Sequence, residues 1–323
     1  MPRDSLVFNE RYTLGVDVAK YKLDCSEVPG RSHWHLRNKP EPVAALVAEL
    51  LARQAGGTDI LVVVEASGGC ERLLCEALWE AGIPVHLANP KRARDYAKAI
   101  GRLAKTDKVD AAVLASFGQN QRLHLHPTAR PDPRLEEIRA LVAHRRRLVD
   151  EAVARKNALQ AAMPDVLRRL VEQELERLTA DAQTILDAAR DIIASHDDLD
   201  TRHAILRGFC GIGPIAAAEL IAYLPELGRL DRRQIAAIAG LAPMADDSGK
   251  RNGKRFIRGG RPEVRRALYM PAITAMTADP ILKAFHQLLI ARGKPQKLAI
   301  TAVMRKLLIH INAACRDSLK AQN

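Results

Sequence analysis

The sequence predicts an α/β layer domain, then a long helical arm, then a mainly helical domain rich in positive charge. Three observations carry this expectation. Residues 12–127 open with strand-like runs and go on to alternate strand-like and helix-like segments. Residues 133–196 contain no Gly, are dense in charge, and repeat apolar residues at spacings of three and four. Residues 201–323 are helical in pattern but punctuated by Gly and Pro. A chain of 323 residues exceeds one compact core, so domains are expected at 1–127, 128–200 and 201–323.

Each element has its own signal. Tyr12 to Val18 is a short apolar run that closes on Asp17-Val18, and Lys22 to Val28 and His33 to Arg37 are weaker alternating strands. Pro42 to Arg53 spaces Val43, Leu46, Val47, Leu50 and Leu51 as one helix face. Ile60 to Val64 is mostly β-branched and reads as a strand buried on both sides. Glu71 to Ala81 is a helix stopped by Gly82, followed by a strand over Ile83 to Leu87. Lys91 to Ile100 and Val109 to Phe117 are helices, the second closed by Gly118. In the arm, Leu135, Ile138, Val142, Val149 and Ala152 precede a break near Met163-Pro164. Val166, Leu170, Leu178, Ala182, Ile185, Ala189 and Ile192 then resume the pattern. Two helices of that length with a narrow apolar seam make a coiled-coil candidate, and with it a homodimer or homotetramer.

Composition narrows the function classes. Net charge is +12, and its placement matters more than its size. Residues 201–323 hold 21 Lys or Arg against 8 Asp or Glu, whereas residues 1–200 hold 29 against 30. A localised basic field of that kind attracts polyanions, so nucleic acid is the expected partner. Aromatics make up only 4%, too few for a base-stacking surface. Five cysteines, an odd number with no CxxC, argue against a disulfide framework or a zinc site and fit a reducing compartment. Met1 to Glu10 is charged and lacks a signal-peptide segment, and no apolar run approaches a membrane span. A soluble, intracellular protein, with no membrane, is therefore expected.

Four acids form the first candidate site. Asp17 ends the first strand in Gly15-Val-Asp-Val-Ala-Lys20, and Glu65 ends a later one in Val62-Val-Val-Glu-Ala-Ser-Gly-Gly69. A carboxylate at the C-terminal end of a parallel strand points into the crevice where α/β sheets bind ligands. Asp107 and Asp110, in Lys105-Thr-Asp-Lys-Val-Asp110, are three apart and share a helix face. Converging carboxylates repel unless cations lie between them, and Mg²⁺ accepts their oxygens while keeping room for phosphate and water. Each acid also has a structural alternative: Asp17 as a turn cap, Asp107 as a helix N-cap, Asp110 beside a helix dipole.

The basic C-terminal region carries a second candidate site. Residues 206–221 resemble a helix-hairpin-helix, in which Gly211 and Gly213 allow a tight turn and its N–H groups can grip a phosphate. Between Lys250 and Arg266 lie eight basic residues and one acid, Glu263. Lys250, Arg251, Lys254, Arg255, Arg258 and Arg261 are the expected phosphate contacts. Ser248, in Asp-Asp-Ser-Gly249, has no His beside it in sequence and reads by itself as a turn residue.

These motifs resemble a bacterial insertion-sequence family of DEDD transposases that includes Piv-type DNA invertases. The resemblance rests on Gly15 to Lys20, Val64 to Gly68 and Lys105 to Asp110. It rests also on the order Gly240-Leu-Ala-Pro243, Ser248-Gly249, Gly253, Gly259-Gly260. It implies an RNase H-like, RuvC-like first domain in which Asp17, Glu65, Asp107 and Asp110 bind Mg²⁺. It implies that Ser248 is the nucleophile that joins covalently to DNA. It further implies double-stranded donor and target DNA and a structured non-coding RNA that bridges them. Two alternatives stay open: a RuvC-like junction nuclease using activated water, and a non-catalytic DNA-binding protein. Sugar kinases and actin-like ATPases share a strand like Gly15-Val-Asp17, but their second phosphate-binding Asp-Gly turn and adenosine loop are not found in the sequence.

Overall fold

The computed structural model describes residues 10–30, 32–102, 104, 106–245, 253 and 255–321. The chain divides into two compact units, Met1–Arg130 and Pro131–Asn323.

The first unit is built on a mixed five-stranded sheet. Strands β1 (Glu10–Val18), β2 (Lys22–Val28) and β3 (His33–Arg37) form an antiparallel meander. Helix α1 (Pro40–Ala55) leads to β4 (Thr58–Glu65), which pairs parallel to β1. Helix α2 (Arg72–Glu80) leads to β5 (Val85–Ala88), parallel to β4. The strand order is β3-β2-β1-β4-β5. Helices α3 (Pro90–Ala99) and α4 (Asp107–Gln121) complete the unit.

Period-two alternation divides the core into two layers. Tyr12, Leu14, Val16 and Val18 of β1 join Ile60, Val62 and Val64 of β4 in a layer under Val43, Leu46 and Leu50 of α1. Leu61 and Val63 face the other way, onto Leu114 and Phe117 of α4. Strand β4 is thus buried on both faces, which is why its sequence is an unbroken apolar run.

Helix α4 lies unusually close to the sheet. A Cβ on Gly15 would stand 2.2 Å from the Ala115 amide nitrogen, and one on Gly118 would stand 2.5 Å from Thr13 and Val63 methyls. Gly118 therefore does not end the helix, as its sequence position suggests; α4 runs through it to Gln121, and the missing side chain admits the sheet. At the far end, the Arg122 guanidinium pairs with Asp59 at 2.6 Å and donates to Thr13 Oγ1. The helix consequently runs antiparallel to β1, with its first turn toward Asp17.

The second unit is helical. Helices α5 (Pro133–Ala158) and α6 (Asp165–Ala194) are the two long helices expected, joined by residues 159–164. They pack through Leu148, Leu178 and Ala182, and Arg155 pairs with Glu174 at 2.6 Å. Then follow α7 (Asp197–Arg207), α8 (Pro214–Tyr223) and α9 (Arg232–Ile238), the last held by a capping box between Asp231 and Gln234. A short ladder of β6 (Pro243–Met244) and β7 (Phe256–Ile257) precedes α10 (Pro262–Ala278), α11 (Pro280–Ala291) and α12 (Gln296–Ala321). Among the described residues α12 alone is long and apolar enough by composition to cross a membrane, although no continuous apolar run marks it in the sequence. Half of that window is buried, and Val303, Leu307, Leu308 and Ile311 belong to the core of the unit.

Candidate active site

The two strand-end acids arise from register and parity together. The β1–β4 ladder pairs Gly15 with Val63 and Val16 with Val64, so Asp17 and Glu65 follow one step on, level with each other. Both lie in phase with Gly15 and Val63, on the α4 side of the sheet. Asp107 and Asp110 occupy the first turn of α4. The N-cap is Thr106 and not Asp107: Thr106 Oγ1 accepts from the Val109 amide at 3.3 Å.

Asp17 feels the other three acids. The Asp17 carboxyl is pushed up from 3.8 to about 6, first by burial and then by Asp110, Glu65, Asp107 and Asp24. Asp107 is held below the usual range by the Lys22 ammonium, which donates to its Oδ2 at 2.8 Å. As the side chains stand, no three His, Cys, Asp or Glu among the described residues are gathered tightly enough to hold a metal. The donor chemistry nevertheless fits one. The strand-end and helix groups are carboxylate oxygens, the set a hard divalent cation takes, and Asp17 is raised first by burial and then by the acids around it.

Several residues of this site were missed in the sequence. Asp24 of β2 stands directly across the ladder from Asp17 and is 4% exposed. It pairs with Lys22 at 2.8 Å, and His33 Nε2 lies 3.5 Å from its other oxygen. The signal was available: a tight turn after Val18 brings Lys-Leu-Asp24 back alongside Asp17 with Lys22 and Asp24 in phase. Asn38 was invisible, because its role is tertiary. Its Nδ2 donates to the Ala19 carbonyl at 3.1 Å and the Cys70 carbonyl at 3.0 Å. It thereby ties the turn after Asp17 to the loop after Glu65. Glu71 organises that loop from within, accepting from the Ser67 amide at 3.1 Å, Ser67 Oγ at 3.0 Å and the Gly69 amide at 2.9 Å. These donors hold its carboxyl low despite burial.

In the second unit, Ser248 lies outside the described residues, as do Lys250, Arg251 and Lys254. The chain on either side is described. It enters through β6 and leaves through β7, with Met244 paired to Phe256. At the base of this ladder two glycine segments cross in backbone contact: a Cβ on Gly260 would lie 2.1 Å from the Gly240 nitrogen. The Arg261 amide donates to the Ile238 carbonyl at 2.8 Å, and Arg265 Nη1 to the Gly259 carbonyl at 2.7 Å. Gly240 and Gly259-Gly260 of the motif are therefore a structural clasp around the serine segment. Arg255 and Arg258 flank β7. The Arg261 guanidinium is engaged inside the unit, by both Glu226 oxygens at 2.7 Å and by the Tyr223 carbonyl. Gly211, at φ +87°, forms the α7–α8 turn against the Pro271 carbonyl of α10, while Gly213 caps α8 with open space around it.

Carboxylates at the ends of sheet strands, with all the excess positive charge after position 200, point to a protein that acts on nucleic acid. Comparison with known proteins gives the family. A DEDD transposase profile of the IS110 type, described as "Transposase", matches residues 14–167. A second, described as "Transposase IS116/IS110/IS902 family", matches residues 203–287. The chain belongs to the IS110 transposase family. It is 27% identical over 315 residues to the pilin gene-inverting protein of Moraxella lacunata, covering 94% of this chain and 96% of that one. It is 23% identical to the 43.6 kDa protein of insertion element IS110 from Streptomyces coelicolor, with 86% of each chain covered. Among solved structures, Thermus thermophilus RuvC in complex with a Holliday junction substrate matches at 16% identity and a TM-score of 0.29, covering 37% of this chain and 100% of that one.

Proposed function

We propose that this protein cuts and rejoins DNA as the transposase of an insertion sequence, with Asp17, Glu65, Asp107 and Asp110 holding Mg²⁺ and Ser248 acting as nucleophile. The observation that supports the metal half is the placing of Asp17 and Glu65 level at two strand ends, with the Asp17 carboxyl raised to about 6 first by burial and then by Asp110, Glu65, Asp107 and Asp24. Bound Mg²⁺ would supply charge stabilisation at the attacked phosphate and the leaving oxygen. The serine half rests on the family motif and on the Gly240–Gly260 contact, which brings together the described chain on either side of the serine segment.

In this reading Ser248 Oγ attacks a DNA phosphate and gives up its proton; the new Oγ–P bond forms as the bond to the departing strand oxygen breaks and that oxygen takes up a proton to leave as a hydroxyl. A hydroxyl of the exchanged strand reverses the step and frees the serine. Lys250, Arg251, Lys254, Arg255 and Arg258 neutralise phosphate around it, and Arg261 serves by locking the base of the loop to Glu226. The α7–α8 turn at Gly211 and Gly213 grips a backbone phosphate in the manner of a helix-hairpin-helix.

Donor and target DNA are the substrates, and a structured RNA bridging them is part of the proposal, supported by the 21 basic against 8 acidic residues after position 200. Helices α5 and α6 join protomers as a coiled coil into a dimer or tetramer. Val153, Val166, Leu167 and Leu170 support this by standing exposed near the α5–α6 connection. The place of action is the bacterial nucleoid. A strand-transfer assay on paired element-end DNA tests the acidic site. Asp17→Asn, Glu65→Gln and Asp110→Asn should each lose more than about a thousandfold in rate. Wild-type rates in any of them would overturn it.

A further inference from the structure

Lys22 opens β2 and places its ammonium between two acids. It lies 2.8 Å from Asp24 Oδ2 and 2.8 Å from Asp107 Oδ2. Asp24 is buried in the sheet opposite Asp17, while Asp107 belongs to the first turn of α4, 85 residues away. One side chain of β2 therefore ties the helix bearing two of the four acids to the strand beside the third.

That tie has a chemical consequence. An ammonium donates hydrogen bonds and accepts none, so the oxygen it holds is engaged as a cation would engage it. Asp24 remains as a second anchor whether or not Asp107 is released. Asp107 is the more exposed of the two partners and the one free to change hands.

We propose that Lys22 is an internal counter-cation that competes with the divalent ion for Asp107, holding Oδ2 until metal takes it and then remaining on Asp24. The proposal rests on the reading of Asp17, Glu65, Asp107 and Asp110 as metal ligands. Lys22 is thus a positioning residue: it steadies the first turn of α4 against the sheet in the metal-free protein and sets the metal concentration at which the site fills.

The test is Mn²⁺ binding by the full-length protein, read as free-ion electron paramagnetic resonance and by calorimetry, without DNA or turnover. Wild type, Lys22→Met, Lys22→Arg and Asp17→Asn are compared, with circular dichroism melts confirming folding. Lys22→Met should bind Mn²⁺ about three- to fivefold more tightly than wild type, the scale of an exposed ion pair, while Lys22→Arg should not tighten. A folded Lys22→Met with unchanged or weaker binding overturns the competition. If wild type binds, Asp17→Asn does not, and Lys22→Met equals wild type, only the role of Lys22 falls. If neither wild type nor Lys22→Met binds, the metal reading falls with it.

Discussion

Asp17 is pressed by burial and by four neighbouring carboxylates, and this has a measurable sign. Its folded-state carboxyl titrates near 6 against 3.8 for the free group, so the ionised form is the disfavoured one. The penalty is absent below 3.8, grows as pH rises through about 6, and is full above it. In metal-free buffer at pH 7.5, Asp17→Asn should therefore be more stable than wild type, by about 1 kcal/mol after allowing for the half-exposed position. Urea unfolding against pH checks this: the advantage should vanish in acid, and an advantage independent of pH would contradict it. With Mg²⁺ present the order should reverse, since the variant forfeits the ion. Asp17 and Glu65 were legible because both end strands whose apolar runs are unmistakable. Asp24 and Lys22 were missed because their signal emerges only once the turn after Val18 is placed; without that register a single acid in an alternating strand looks like a solvated face.

At the scale of elements, the site depends on how closely α4 can lie on β1. Gly15 and Gly118 set that distance, and their would-be side chains meet backbone or packed methyls at 2.2–2.5 Å. Gly15→Ala meets main chain that cannot rotate away, so it should cost about 3 kcal/mol and displace Asp107 and Asp110 from Asp17. Denaturant unfolding with a parallel Mn²⁺ titration should show both losses; a Gly15→Ala protein with native stability would contradict the packing account. The boundaries of β2 and β3 were readable from alternation alone. The length of α4 was not: Gly118 looks like a helix stop in sequence, and only the sheet beneath it explains a glycine inside the helix. The β6–β7 ladder was equally hidden, since two-residue strands have no period to detect.

Across the whole molecule, acidic and basic functions are kept on different parts of the chain. Residues 1–200 are almost neutral, and the later third holds all the excess positive charge. This partition was visible from residue counts, whereas the chemistry of the serine segment depended on its resemblance to a family. DNA affinity should follow the basic part. Replacing Lys250, Arg251 and Lys254 together by Gln should weaken DNA binding and lower the slope of log affinity against log salt, by about one for each phosphate no longer neutralised. Fluorescence anisotropy over a salt series checks this, and an unchanged slope would remove the loop from the interface.

The central claim is that the acidic cluster and Ser248 serve one reaction. It is tested most directly by trapping the enzyme on labelled element-end DNA bearing a nick that prevents religation, then resolving the products under denaturing conditions. Wild type should yield protein-linked DNA whose modified peptide contains Ser248, and Ser248→Ala and Asp17→Asn should yield neither adduct nor cleavage. Cleaved DNA with free ends from Ser248→Ala would contradict the account and leave the carboxylates as a self-sufficient nuclease site.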